Sequence, residues 1–323
     1  MQKNINCSAR LAARITMAAL AVASSLSMAV PPAVAATQAE ASTVLRHVTA
    51  PTRYVEVEGA RLAYRRFGRT GGVPLIFFQH FVGTMDSWDP QVVDGLARDR
   101  EVILFDNAGV AGSGGEVPNN VEGMAKYATG LLQALKIKQA DVLGFSLGSL
   151  VAQQAALERP DLIRRVILIG SGPRAGVGMA SLTPEFVSML GKKRDNPDDL
   201  LLDVFFTPSE QSQAAGRAFL KRLHERSTNR DLEVNEKVVP AQVAAFADWG
   251  KGQDDGYLKQ IQQPVLIVSG SNDLVHYTIN SYNLQQKLPK AQLIVYPDSN
   301  HGAIYQYPDL FLAQAKLFLD AGE

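Results

Sequence analysis

Cysteine is almost missing from this chain, since its 323 residues contain a single one, Cys7. One thiol cannot close a disulfide within the chain, and it cannot supply a metal site built on several thiolates. An excess of charge of one sign is missing as well, because 32 basic residues balance 32 acidic ones. We therefore expect no nucleic-acid partner, because binding a phosphate backbone calls for a basic surface.

A long apolar run of the kind that spans a bilayer is also missing. The apolar stretch at residues 15–30 is shorter than the ~20 residues that a spanning helix needs, so we expect no stable membrane anchor. Three basic residues precede this stretch, and Pro31-Pro32 and Ala33-Val34-Ala35 follow it. The arrangement predicts a secretory signal peptide at residues 1–35, cleaved near Ala35, and export to the periplasm or beyond.

Cleavage of this segment would change the remaining chain in two ways. It would remove Cys7, which leaves no thiol to act as a nucleophile. It would also remove three basic residues and no acidic ones, so the remainder would carry a net charge of −3. We expect residues 36–52 to form a loose leader and residues 53–323 to form one large domain.

Short apolar strands alternate with amphipathic helices through this domain. The first two strands predict an antiparallel hairpin, and the continuously apolar later strands are typical of a sheet that is covered on both faces. This order predicts an α/β fold with a mostly parallel central sheet flanked by helices. The segment from about 172 to 263 shows helical patterns without a strand, so we expect a helical lid there. Strands are predicted at 53–57, 61–67, 74–78, 101–105, 140–145, 165–169, 265–269 and 292–295.

Residues 140–150 predict a buried strand, a tight turn and the start of a helix, and the turn is Gly144-Phe145-Ser146-Leu147-Gly148. A G-x-S-x-G turn of this kind exposes its serine above the sheet. The backbone approaches closely on both sides of the serine, so positions 144 and 148 have no room for side chains. Ser146 is therefore the candidate nucleophile, and the N–H of Leu147 at the start of the helix is a candidate oxyanion donor.

A serine nucleophile needs a base and a group that orients the base. Asp273 follows the buried strand at 265–269, and His301 follows the next strand along the chain. Because the carboxyl ends of parallel strands meet at one edge of a sheet, we expect both side chains near Ser146. His301 would accept the proton of Ser146, and Asp273 would hold the imidazole ring and stabilise its charged form.

Other ionisable residues compete for these roles. Asp298 precedes His301 in the same loop and is expected to shape that loop. His276 is expected at the surface or in the pocket. His224 lies in a charged helical run that is typical of a solvated face, and His47 falls in the leader.

The second oxyanion donor is expected from the loop that follows the strand at 74–78. The candidate donor is the N–H of Phe81. Its neighbour His80 has two interpretations: it positions this loop, or it is a buried histidine whose hydrogen bonds are satisfied.

Together these segments resemble the α/β-hydrolase fold superfamily from about Arg53 to the C-terminus. The segments look like the branch that contains esterases, cofactor-free haloperoxidases or perhydrolases, and carbon–carbon bond hydrolases. Many members have His-Gly where this chain has His80-Phe81. A serine at 146 argues against the dehalogenase and epoxide hydrolase branches, which use an aspartate there. The resemblance rests on Gln79-His80-Phe81, Phe105-Asp106-Asn107-Ala108-Gly109, Gly112-Ser113-Gly114, Gly144-Phe145-Ser146-Leu147-Gly148, Ser271-Asn272-Asp273 and Ser299-Asn300-His301-Gly302.

The residues and the resemblance together favour a secreted serine hydrolase that cleaves carboxylic esters through Ser146, His301 and Asp273 and an acyl-enzyme. Such a mechanism needs neither a metal nor an organic cofactor, and the expected partner is a small-molecule substrate. Carbon–carbon bond hydrolysis or perhydrolysis by the same three residues is one alternative. A ligand-binding protein with little turnover is another, because a fold does not determine a function.

Overall fold

The computed structural model describes residues 46–252 and 255–322. The strands of these residues are β1 Arg53–Val57, β2 Ala60–Gly68, β3 Leu75–Phe78, β4 Glu101–Phe105, β5 Ala140–Phe145, β6 Ile163–Ile169, β7 Val265–Gly270 and β8 Ala291–Tyr296. They form an eight-stranded sheet in the order β1-β2-β4-β3-β5-β6-β7-β8. β2 is antiparallel to β1 and β4, and all other neighbours are parallel. The predicted α/β fold with a mostly parallel sheet is confirmed.

Helices cover both faces of the sheet and fill the connections between strands. They are α1 Pro90–Ala97, α2 Val121–Ala134, α3 Leu147–Glu158, α4 Pro184–Gly191, α5 Asp199–Phe205, α6 Glu210–Leu223, α7 Val238–Gly250, α8 Thr278–Lys287, α9 Ala303–Gln306 and α10 Pro308–Asp320. Short 3-10 helices lie at Met85–Ser87 and Gly256–Gln260. Within the described ranges, no helix combines the length and the apolar character needed to cross a membrane.

The core follows from the two-residue period of the strands, because successive side chains point to opposite faces of a sheet. In β3, Ile76 and Phe78 join the hydrophobic cluster that includes α2 and α3. Leu75 and Phe77 join the cluster on the other face, which includes α1 and α10. All four side chains are buried, so β3 is apolar throughout and lies at the centre of two hydrophobic layers.

The segment between β6 and β7, called the insertion below, contains α4 to α7 and the second 3-10 helix among its described residues. Its attachment to the sheet includes a buried ion pair. Arg65 of β2 is fully buried, and its guanidinium contacts Asp86 at 2.5 Å and Asp231 of the insertion at 2.6 Å. A buried charge is tolerated only with such partners, so these contacts hold the connection between α6 and α7 against the sheet.

The end of the predicted leader packs against the domain. His47 is 2% exposed and Ala50 is fully buried. Arg226 donates hydrogen bonds to the carbonyl oxygens of both residues, at 2.8 and 2.9 Å. The prediction of a loose leader is therefore wrong for residues 46–50, because these backbone carbonyls pair with a buried guanidinium. The predicted signal peptide and the rest of the leader lie outside the described residues.

Candidate active site

Ser146 lies in a strained turn between β5 and α3. Its φ of 55° and ψ of −122° are conformations that a side-chain-bearing residue rarely adopts. A Cβ at Gly144 would lie 2.3 Å from the carbonyl oxygen of Gly148, and a Cβ at Gly148 would lie 2.1 Å from that of Phe78. The prediction that neither glycine position has room for a side chain is confirmed, because the obstacles are backbone atoms.

Asp273 and His301 lie together at the carboxyl edge of the sheet, as predicted. The Oδ2 atom of Asp273 is 2.8 Å from Nδ1 of His301, and both side chains are buried. Its Oδ1 atom accepts the backbone N–H groups of Val275 and His276, each at 2.9 Å. Burial would raise the pKa of Asp273, but the charge of His301, its hydrogen bond and the charge of His276 lower it overall. The carboxylate therefore stays ionised and faces the imidazole.

Ser146 and His301 line the same cavity. Nε2 of His301 is buried and has no hydrogen-bond partner among the described residues, so the structure does not join it to Ser146. Catalytic hydrogen bonds are often long in the absence of substrate and tighten when substrate binds. The His301 ring also contacts Phe145, with the ring centroids 5.0 Å apart.

The loop after β3 brings Phe81 to the same cavity. Among the described residues, neither the N–H of Phe81 nor that of Leu147 donates to another protein group. Nδ1 of His80 is 2.9 Å from the carbonyl oxygen of Phe81, whereas Nε2 of His80 is buried and has no hydrogen-bond partner among the described residues. Burial lowers the pKa of His80 from 6.5 to about 4, so its ring is neutral. The interpretation as a fully satisfied histidine is therefore wrong, and the contact within the loop agrees with a positioning role.

The cavity has a volume of about 450 Å³ and mostly apolar walls. This size is within the ~300–1,000 Å³ range of small-molecule sites. One side of it belongs to the sheet edge with Ser146 and His301, and the other belongs to the insertion. The insertion contributes Leu182, Phe186, Leu190, Leu200, Leu201, Val204, Phe205, Val239, Val243 and Phe246.

His276 is a second buried imidazole beside His301, which decides between its two interpretations in favour of the pocket. It is 2% exposed, and the two ring centroids are 5.2 Å apart. Its Nδ1 is 2.6 Å from the carbonyl oxygen of Gly170, which can only accept, so Nδ1 carries the proton. The ring stacks on Phe246 of α7.

The remaining competitors lie away from these groups. Asp298 accepts hydrogen bonds from Thr207 and Ser209, and so ties the His301 loop to the start of α6. His224 is exposed and pairs with Asp198. In the part of the chain that the structure describes, no group of His, Cys, Asp and Glu side chains is arranged to hold a metal ion.

The model of the alpha/beta hydrolase fold family matches residues 73–308, and the chain belongs to this family. A solved structure, an alpha/beta hydrolase fold protein from Chitinophaga pinensis, is 44% identical with a TM-score of 0.82, over 86% of this chain and 100% of that one.

Two further relatives carry functional names. RutD of Agrobacterium fabrum, described as a candidate carbamate hydrolase, is 25% identical over 261 residues, which are 78% of this chain and 95% of RutD. The poly(3-hydroxyalkanoate) depolymerase of Ectopseudomonas oleovorans is 27% identical over 242 residues, 73% of this chain and 80% of the depolymerase. The fold and these relatives identify the chain as a hydrolase.

Proposed function

We propose that this hydrolase cleaves carboxylic esters through a serine nucleophile and an acyl-enzyme. The observation that carries the proposal is the 2.8 Å contact between Asp273 and Nδ1 of His301, which leaves Nε2 unpartnered. Ser146 lies on a strained turn in the wall of the same cavity. A nucleophile, a base and a group that orients the base are the parts that such chemistry requires.

In the first half of the reaction, Nε2 of His301 takes the proton of Ser146 as Oγ attacks the ester carbonyl. The resulting imidazolium faces the ionised carboxylate of Asp273, which stabilises it. His301 then gives the proton to the leaving alcohol, and the acyl group stays on Ser146. In the second half, a water molecule loses a proton to His301 as it attacks the acyl-enzyme. His301 then returns this proton to Oγ of Ser146 as the bond between Oγ and the acyl carbon breaks and the acid leaves.

The carbonyl oxygen becomes negative in both halves of the reaction. We assign its stabilisation to the N–H groups of Phe81 and Leu147, which have no protein acceptor among the described residues. Leu147 is the first residue of α3, so its N–H also lies at the positive end of a helix dipole. Loss of one such donor typically costs ~10²–10³ in rate.

The cavity favours an ester with an apolar acyl or alcohol group. Its walls in α4, α5 and α7 are aliphatic or aromatic side chains, which would exclude water from the reacting atoms. Two relatives are named for the hydrolysis of carbamate and of poly(3-hydroxyalkanoate). Both names describe the cleavage of acyl bonds, which supports the same reaction class here.

The test is the initial rate of hydrolysis of p-nitrophenyl esters, from acetate to long acyl chains, by wild type and by Ser146→Ala. We expect the variant to lose at least about 10³-fold in kcat. The chain length with the highest kcat/KM would then measure the apolar part of the cavity. Labelling by a fluorophosphonate, followed by mass spectrometry, should modify wild type and leave Ser146→Ala unmodified.

Ser188→Ala is the matched control, because Ser188 is an exposed serine of α4. This variant should hydrolyse esters and take the label as wild type does. Equal background rates for wild type and Ser146→Ala would reject ester hydrolysis. Carbon–carbon substrates, peracid formation and ligand binding would then be measured with the same pair.

A further inference from the structure

The insertion contacts the loop that carries the proposed oxyanion donor. Gln242 of α7 is fully buried, although it lies in a helix of mostly apolar residues. Its Oε1 accepts the backbone N–H of Val82 at 2.6 Å. Because an N–H can only donate, this contact also determines which end of the amide is the oxygen.

The loop at this point has a conformation that it would not adopt by itself. Val82 has a φ of 60°, and a β-branched residue in the left-handed region is a genuine outlier. Such a conformation persists only when surrounding contacts hold it. Inside the loop, the N–H of Gly83 donates to the carbonyl oxygen of His80 at 3.0 Å, and the His80 ring contacts the carbonyl oxygen of Phe81. Gln242 adds a hydrogen bond from outside the loop.

The same helix also forms part of the cavity wall. Val239, Val243 and Phe246 of α7 line the cavity, and Gln242 lies between them in sequence. A substrate that packs against α7 therefore contacts the element that holds Val82. The Gln242 amide holds Val82 without placing a charge near the carbonyl oxygen of the substrate, which becomes negative in the proposed reaction.

We propose that Gln242 is a positioning residue, which holds Val82 so that the N–H of Phe81 faces the reacting carbonyl. The inference rests on the proposed ester hydrolysis. A misplacement of about 1 Å in a catalytic group can cost ~10²-fold in rate. Loss of the Gln242 contact should therefore reduce kcat by about 10- to 100-fold, while KM changes little because the apolar walls remain.

The variant is Gln242→Met, which has a similar length and no oxygen acceptor. Nε2 of Gln242 makes no hydrogen bond among the described residues, so methionine removes only the contact with Val82. We expect this variant to lose about 10- to 100-fold in kcat.

Gln263→Met is the matched control. Gln263 is 7% exposed and donates to the carbonyl oxygen of Ala156, away from the cavity. Gln263→Met should keep the kcat of wild type. This result would show that the loss of a buried amide lowers kcat only when that amide is Gln242. Thermal unfolding midpoints for wild type, Gln242→Met and Gln263→Met would show that the comparison is made on folded protein.

A second test measures the effect of Gln242→Met in a protein that also carries Val82→Gly. Glycine accepts a positive φ without strain, so the loop should depend less on Gln242 in this background. We expect Gln242→Met to cost at least threefold less in kcat when Val82 is glycine.

The outcomes separate the two proposals. If wild type shows no Ser146-dependent ester hydrolysis, the proposed function fails. Suppose that wild type hydrolyses esters. If Gln242→Met then has the kcat of wild type, whether or not its KM changes, the positioning role is wrong. An equal loss of kcat from Gln242→Met with valine and with glycine at position 82 would also overturn it.

Discussion

His276 should make the stability of the protein depend on pH between about 4 and 6.5. Burial, and after it the charge of His301, lower the pKa of this imidazole from 6.5 to about 4, although the charge of Asp273 and the hydrogen bond to Gly170 act in the opposite direction. In the unfolded chain His276 binds a proton near pH 6.5, whereas in the folded chain it does so only near pH 4. Between these values the unfolded state holds more protons, so the free energy of unfolding falls as the pH falls.

The size of this effect follows from the two pKa values. At pH 5 the unfolded imidazole is almost fully protonated and the folded one is almost fully neutral. The difference corresponds to about 2 kcal/mol lost between pH 7 and pH 5, and to about 3 kcal/mol lost by pH 4. His80 has a similarly lowered pKa, but it is present in every protein compared below and its contribution cancels.

The assay is urea unfolding of wild type and His276→Asn at pH 7, 6 and 5. Asparagine keeps an N–H donor for the carbonyl oxygen of Gly170 and does not titrate in this range. We expect wild type to lose about 2 kcal/mol more than the variant between pH 7 and pH 5. His224→Asn is the control, because it removes an exposed imidazole and should leave the pH dependence of wild type in place. Parallel curves for wild type and His276→Asn would refute the reasoning.

Two further predictions concern packing and buried charge. Gly148→Ala should destabilise the fold by about 3 kcal/mol or more and abolish ester hydrolysis, because its Cβ would lie 2.1 Å from a backbone oxygen. Thermal unfolding midpoints would test this. Gly191→Ala, whose Cβ meets nothing within 4 Å, should have the midpoint of wild type, whereas the midpoint of Gly148→Ala should be lower. Arg65→Met should cost about 3–5 kcal/mol in urea unfolding, because Asp231 loses its guanidinium partner and Asp86 keeps only its longer contacts with Arg226 and Arg230. A loss below 1 kcal/mol would show that solvent or other cations replace the guanidinium.

Much of the sheet could be predicted from sequence because its signals are local. The predicted bounds 101–105 and 140–145 agree with β4 and β5. Continuous apolar runs of this length have few alternatives in a domain with helices between them. The position of Asp273 and His301 at one edge of the sheet could also be predicted, because the carboxyl ends of parallel strands lie at the same edge. The glycines at 144 and 148 follow from the backbone geometry of a single turn.

The contacts made by the insertion were not predictable in this way. Val82 and Gln242 are 160 residues apart in sequence, and their contact depends on which face of α7 meets the loop after β3. The sequence offers one signal, a polar amide among the apolar residues of a helix. This signal indicates that the amide is buried but does not indicate which group it contacts. The packing of the predicted leader was not predictable for a related reason, because the carbonyl oxygens of His47 and Ala50 accept hydrogen bonds from Arg226, which is 179 and 176 residues further along the chain.

The two parts of the site therefore carry different information. The sheet edge supplies Ser146, Asp273 and His301 at positions that the order of the strands determines, and it would do so with many different insertions. The insertion supplies the apolar walls of the cavity, which determine what can bind. Because it also supplies Gln242, the proposed positioning residue, we expect a change in the insertion to alter the rate of the reaction as well as its substrate, even though the proposed nucleophile and base stay where the sheet places them.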